Sequence, residues 1–334
     1  MTSYNYARNS DFVFSETLTV DQFNKLYGLD KNIEILNQDK ELITYQQRNI
    51  VLKSGDVIFC NSSRIELLFY YLRKSDKLNN LKLITHQTDK EINEKLFRKK
   101  PGSISKWYGI NVNYNHKDLV PIPIGLANNY SPKNLLIKDF LKFKPSQYKK
   151  QILYINNRRN TNHNERDNTY KIFSDKSWCK LDEPNLPMKI YQNRLDEYNF
   201  ILCPIGNGID THRIWEAIYS GSIPIVKKHI TFSYLEGINC LQVDKFENIT
   251  EKMLNDFLNE KRTQNFDKLK IEYWMKVIKD DNDTSKIKIQ INEKKLTNLL
   301  FNLQKKLLHR FESKKKIIVF NLRKIRKLVT RIFG

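Results

Sequence analysis

Cysteine is scarce and scattered: Cys60, Cys179, Cys203 and Cys240 form no CxxC pair and have no clustered histidines beside them. That spacing excludes a zinc ribbon or finger and suits reduced core thiols of a cytosolic protein. Long apolar runs are missing too. No window approaches the roughly 18 to 20 uninterrupted apolar residues that a helix needs to span a bilayer. The opening residues Met1-Thr-Ser-Tyr-Asn-Tyr-Ala-Arg8 lack a basic stretch followed by an apolar one, so no secretory signal is expected. Glycine and proline number only ten and nine in 334 residues. Internal repeats and flexible low-complexity linkers are not found.

What is present argues for a folded, two-part chain. With 40% hydrophobic and 12% aromatic residues the sequence builds real cores, and its length corresponds to about two domains. The balance of 58 Lys plus Arg against 37 Asp plus Glu leaves a net charge of +21. Such an excess points either to an anionic partner or to a Lys-rich compositional habit. Its distribution is uneven. Residues 301–334 carry eleven Lys and Arg against Glu312 alone. Within them Ile318, Leu322, Ile325, Val329, Ile332 and Phe333 recur every three or four positions, as on one face of a helix. A basic amphipathic helix of this kind lies flat on an anionic membrane surface. The same pattern also fits a helix packed on the body with a solvated basic face, or nucleic-acid contact. No RNP-type aromatic pattern or zinc finger accompanies the charge, so no nucleic-acid partner is expected.

Short apolar runs organise the remainder. Asp56-Val-Ile-Phe-Cys60, Leu81-Lys-Leu-Ile-Thr85 and Leu119-Val-Pro-Ile-Pro-Ile124 read as strands, and Ser63–Leu72 between the first two has helical period. Strand, helix, strand is the βαβ unit of a parallel sheet. After a Lys-rich link over residues 132–150 a second series follows: strands at 151–155, 200–203, 222–226 and 240–243, with a helix after the second. The reading is an N-terminal α/β domain over 1–140, a C-terminal α/β domain over 150–280 and a helical basic tail over 284–334.

The chemistry concentrates in Phe200–Val226. A strand ends at Cys203-Pro204, Gly206 and Gly208 follow, and a helix starts with Asp210 or Thr211 available as its N-cap. Backbone N–H groups at a helix N-terminus, approached over glycines, favour phosphate. Arg213 and Glu216, three apart, share a helical face. The guanidinium can fork onto a diphosphate while the carboxylate takes a ribose or sugar diol; alternatively the two simply pair with each other.

This run, with Gly221-Ser222-Ile-Pro224 at the end of the helix, resembles the signature that closes the donor-binding domain of exostosin-like glycosyltransferases. Thr85-His-Gln-Thr-Asp89, Trp107-Tyr-Gly-Ile-Asn-Val-Asn113, Pro121–Asn128 and Leu153-Tyr-Ile-Asn-Asn157 are similar to patches of a bacterial group of such enzymes. The resemblance covers roughly residues 55–245. It implies the GT-B architecture of two Rossmann-like domains facing each other across a cleft, a nucleotide-sugar donor, inverting transfer to a glycan or lipid-linked acceptor of the cell-surface polysaccharide or lipopolysaccharide type, and no essential metal or other cofactor. A fucosyltransferase-like enzyme using a GDP-sugar is the alternative within that class, and a non-catalytic basic nucleic-acid-binding protein the alternative outside it.

On this reading the donor meets Gly206, Asn207, Gly208, Asp210, Thr211, His212 and Arg213, with Glu216 toward the ribose. Arg158 or Arg159, directly after a strand, supplies a second cation for the leaving diphosphate. The general base comes from the opposite domain, where His86 and Asp89 follow a strand; either is the base, or they orient the acceptor or start the next helix. Trp107, Asn111 and Asn113 shape the acceptor side, with core packing as the alternative for Trp107. Asp281-Asn282-Asp283 has the spacing of a metal pair but reads as a turn. The expected location is cytoplasmic, peripheral on the inner face of a membrane.

Overall fold

In the computed structural model, residues 1–310 are described except 29, 130, 132, 147–148, 280–287, 293–296, 305 and 309. Residues Met1–Gln290 form one compact unit and Ile291–Gly334 another. Among the described residues of the first unit, two sheets carry the architecture.

The first sheet uses β1 (Phe12–Thr19), β2 (Ile33–Gln38), β3 (Leu42–Gln47), β4 (Val57–Asn61), β5 (Leu81–His86), β6 (Ile104–Gly109) and β7 (Leu119–Pro121). Their order across the sheet is β7-β6-β5-β4-β1-β3-β2. The five strands from β7 to β1 run parallel, and β3 and β2 add an antiparallel edge. The second sheet uses β8 (Gln151–Ile155), β9 (Cys179–Leu181), β10 (Tyr198–Leu202), β11 (Ile223–Lys227) and β12 (Leu241–Val243) in the order β9-β8-β10-β11-β12, all parallel. Every residue of β4 and β5 is buried, as expected of central parallel strands covered on both faces. The molecule is therefore a mixed α/β protein with a large parallel sheet, consistent with an α/β glycosyltransferase fold.

Five helices bear on the site: α1 (Ser3–Asn9), α2 (Ile65–Leu72), α3 (His163–Phe173), α4 (Met188–Glu197) and α5 (His212–Tyr219). The α2 helix closes the βαβ unit between β4 and β5, burying Ile65, Leu67, Leu68, Phe69, Tyr71 and Leu72. One apolar cluster joins the sheets: Val57, Phe59, Ile84 and Tyr108 of the first pack in the same core as Tyr154, Ile201 and Val226 of the second and Trp215 of α5. The carboxyl ends of β5 and β10 thereby meet over a common floor, which is where ligands of parallel sheets bind.

The expected tail over 284–334 lies largely outside the described residues. Those described between 297 and 310 are helical. No described helix is long and apolar enough to cross a membrane.

Candidate active site

The loop between β10 and α5 is a tight turn in which the Gly206 amide donates to the Gly208 carbonyl at 3.0 Å. Thr211 is the N-cap of α5 in extended conformation, but its side chain caps nothing, and its Oγ1 is buried without a partner. The first-turn amides of α5 thus lack a side-chain acceptor and present the positive end of the helix. Asp210, the other expected cap, meets the Thr211 amide but is held mainly by the opposite wall. Its Oδ2 accepts the Ile124 amide at 2.9 Å and the Tyr234 hydroxyl at 2.8 Å, and burial pushes its pKa up to about 7. Asp210 is thus a buried clasp between the 122–126 segment and the α5 loop rather than a donor contact.

Three adjoining chambers form one groove. A middle chamber of about 260 Å3 is walled by Gly206, Gly208, Thr211, Arg213 and Arg158. An outer chamber of about 330 Å3 shares Lys133, Asn134, Arg158, Arg213 and Glu216 with it and adds Pro184, Leu186, Met188 and Tyr191. An inner chamber of about 170 Å3 shares Asp89, Ile124 and His212 with the middle one and adds His86, Gln87 and Asn128. The groove brings together most of the expected donor residues and both expected base candidates.

Three of its cations have no direct ionic partner among the described residues, although Asp89, Asp210 and Glu216 line the same chamber. Among the described residues, Arg158, Lys133 and Arg213 make no ion pair with a carboxylate. Arg213 and Glu216 do not pair directly. Tyr191 of α4 stands between them, accepting from Arg213 Nη1 at 3.0 Å and donating to Glu216 Oε2 at 2.7 Å. The Arg213 guanidinium also lies 5.2 Å from the Tyr191 ring centre. Glu216, expected to meet a ribose, is buried and already occupied: its Oε1 accepts the Leu135 amide at 3.0 Å and Asn134 Nδ2 at 3.3 Å. It anchors the 134–135 link to α5. Arg159 does not face the groove. It is exposed, stacked 4.1 Å from the Tyr170 ring centre and bonded to Glu183 at 3.2 Å.

Arg166 of α3 was not singled out from sequence. It is buried and ties the groove wall together, donating to the carbonyls of Ile205 (3.0 Å), Arg158 (3.1 Å) and Pro204 (3.3 Å) and to Thr161 Oγ1 (2.6 Å). A Cβ at Gly206 would lie 2.7 Å from Arg166 Nη2, so the glycine is what lets the guanidinium reach under the loop. Burial lowers its pKa to about 10 with Arg213 nearby. Its position, buried inside a polar helix, is a tertiary fact with no signal in local spacing.

On the β5 side, His86 is fully enclosed. Its Nδ1 accepts the Gln87 amide at 2.8 Å, and desolvation, reinforced by His212, holds its pKa down at about 3. A ring so hard to protonate is not a base poised near neutral pH, which corrects that expectation. Asp89 does line the middle and inner chambers. His212, the first residue of α5, sits between the same two chambers with Nδ1 at 2.8 Å from the Gly125 carbonyl.

The segment from Arg159 to Asp256 matches the family model "RXYLT1 C-terminal domain". The match supports a glycosyltransferase-like protein. Less than a third of the chain is covered, but the RXYLT1-like segment contains Arg166, Tyr191, the Gly206–Thr211 loop, Arg213 and Glu216. No significant match is found among curated proteins. The segment leaves out β5 and the 122–128 stretch, which supply the opposite wall of the groove.

The expected acceptor-side residues lie elsewhere. Trp107 is fully buried beside the first sheet, edge-on to Phe69 and stacked on Phe97, with Nε1 donating to Thr85 Oγ1 at 2.8 Å. Asn111 is also fully buried, with φ +56°; its Oδ1 accepts the Asp210 amide at 2.9 Å and its Nδ2 donates to the Thr88 carbonyl at 3.3 Å. It holds the glycine loop against β5's extension, and a Cβ at Gly208 would crowd it at 3.0 Å. Asn113 is exposed and donates to Glu91 at 2.8 Å. Asn207 is at the exposed tip of the loop but still lines the middle chamber. No group of three or more metal-ligating side chains occurs among the described residues, and Asp281-Asn282-Asp283 lies outside them.

Proposed function

We propose that this protein is a glycosyltransferase that moves a sugar from a nucleotide-sugar donor to a glycan or lipid-linked acceptor, with inversion and without an essential metal. The observation that carries the reading is the middle chamber: an uncapped helix N-terminus beside Arg213, Arg158 and Lys133, none of them paired with a carboxylate among the described residues. A diphosphate supplies the missing negative charge in that place. The outer chamber, with Leu186, Met188 and Tyr191 beside polar groups, suits a nucleoside, and the inner chamber suits the acceptor hydroxyl. In this view the two sheets belong to GT-B-type halves, residues 1–140 and 150–280.

The test is thermal unfolding with UDP, GDP, CMP and their sugars. At 100 times its Kd a true ligand adds about 2.7 kcal/mol of stability, a shift of several degrees, and one nucleotide class is expected to stand out. A folded sample that none of them stabilises would remove the basis for the reading.

The basic periodic stretch over 301–334 supports peripheral binding to the inner face of a membrane, where lipid-linked acceptors are found. Removing residues 301–334 is expected to abolish cosedimentation with vesicles rich in anionic lipid while leaving any nucleotide effect intact. Equal sedimentation of the full and truncated chains would count against a membrane role for the tail.

A further inference from the structure

Two histidines meet at the inner end of the groove, and the backbone around them sets opposite tautomers. His212 Nδ1 is 2.8 Å from the Gly125 carbonyl oxygen. A carbonyl only accepts, so Nδ1 must carry the hydrogen, and in the neutral ring Nε2 is a bare acceptor. Nε2 has no partner among the described residues, and His212 lines both the inner and the middle chamber. The Gly125 carbonyl is itself firmly placed. Gly125 has φ +71°, and a Cβ there would fall 2.4 Å from the Met1 carbonyl oxygen, so only glycine holds this turn.

His86 is arranged the other way. The Gln87 amide donates to its Nδ1 at 2.8 Å, which places the hydrogen on Nε2, a buried atom on a ring that faces the backbone of Pro123 and Ile124. Gln87 adopts the left-handed φ of +73°, unusual for a residue with a side chain, and its amide points at the ring from that conformation. His86 is therefore built to donate and His212 to accept.

Resting on the glycosyltransferase reading, we propose that His212 is the general base, taking the proton of the acceptor hydroxyl on Nε2, while His86, enclosed behind it against the Pro123 and Ile124 backbone, positions the segment whose Gly125 carbonyl orients His212. In the step, the acceptor oxygen forms a bond to the anomeric carbon as the bond from that carbon to the diphosphate oxygen breaks. The bonding pair leaves on the diphosphate, beside Arg213 and Arg158. The hydroxyl proton moves to His212, whose Nδ1–H bond to the Gly125 carbonyl strengthens as the ring becomes charged. Solvent then removes the proton.

The groups facing His212 are Asp89 and His86 from the β5 side, Lys133 from the link, and Asp210 and Arg213 from its own loop and helix. The experiment therefore compares His212→Asn, His86→Asn and Asp89→Asn, using a nucleotide sugar that stabilises the wild-type chain and reading nucleoside diphosphate release across pH. Asparagine at 212 keeps a donor for the Gly125 carbonyl but deletes Nε2. His212→Asn is expected to lower kcat by about 10²- to 10⁴-fold, to leave nucleotide affinity within about threefold, and to erase the loss of kcat/KM on acidification. His86→Asn, acting only through the position of His212, is expected to lower kcat less than His212→Asn does and to keep that acid limb. The assignment is overturned if His212→Asn turns over within a few-fold of wild type, if it keeps the acid limb, or if Asp89→Asn alone erases it. A wild-type chain that binds no nucleotide sugar overturns the transferase reading and this assignment together. Binding with turnover that His212→Asn leaves intact overturns the assignment alone.

Discussion

Arg213→Ala is expected to weaken binding of a nucleoside diphosphate by about two orders of magnitude or more, corresponding to about 2–5 kcal/mol for a truncated, partly buried charge contact. The size follows from the surroundings. Arg213 is half-buried on the first turn of α5, and its nearest polar partner is a neutral hydroxyl, Tyr191 Oη at 3.0 Å. Among the described residues it is not neutralised by a direct ion pair, so its charge remains for a ligand. Tyr191 would keep its bond to Glu216 at 2.7 Å, and the link at Leu135 would stay anchored. The variant is therefore expected to fold. Isothermal titration with the stabilising nucleotide, beside a denaturation curve for the variant, separates lost binding from lost structure. A Kd within threefold of wild type would sink the diphosphate assignment for this arginine.

Asp210→Ala is expected to cost about 2–6 kcal/mol, because it orphans two buried donors, the Ile124 amide and the Tyr234 hydroxyl, at about 1–3 kcal/mol each. Asp210→Asn should behave differently. Its carbonyl oxygen can accept both bonds, and the substitution removes a charge that burial disfavours. The native carboxyl has a pKa near 7 against about 3.9 in an unfolded chain, so the folded state holds the proton more tightly. Its contribution is complete below the unfolded value and is lost as pH rises through about 7, at up to about 1.4 kcal/mol per pH unit. Asp210→Asn is thus expected to match or exceed wild-type stability above pH 7 and to lose ground to it as pH falls toward 4. Urea midpoints measured from pH 4 to 8 check both variants. A wild-type to Asn difference that does not vary with pH would show that Asp210 ionises in the fold as it does in water.

Much of the fold is legible where a parallel strand buries most of its residues. Val57–Asn61, Leu81–His86, Gln151–Ile155, Tyr198–Leu202, Ile223–Lys227 and Leu241–Val243 all fall within two residues of apolar runs visible in the sequence, because strands of a parallel sheet covered on both faces need apolar side chains on both faces. Phe12–Thr19 escaped notice since it carries Ser15 and Glu16. Both are fully buried, and Glu16 is tolerated there only because Arg8 and the Tyr45 hydroxyl, neither adjacent in sequence, reach it. The Ile104–Gly109 strand is hidden in the same way by Ser105 and Lys106, and of the two readings of Trp107 the structure takes core packing.

The sequence alone determined the turn of glycines before α5, the placement of Arg213 on its first turn and the parallel-strand series on either side, because these depend on local period, chain stiffness and the behaviour of helix ends. Only the tertiary structure decided which polar groups remain for a ligand. Glu216 and Asp210 are occupied by backbone amides from residues 135 and 124, Arg159 is held at the surface, Arg166 is drawn beneath the glycine loop, and the Gly125 carbonyl and Gln87 amide set opposite tautomers on His212 and His86. The reason is that a polar side chain's chemistry is set by the lone pairs and protons its neighbours leave unused, and those neighbours come from segments far away in the chain.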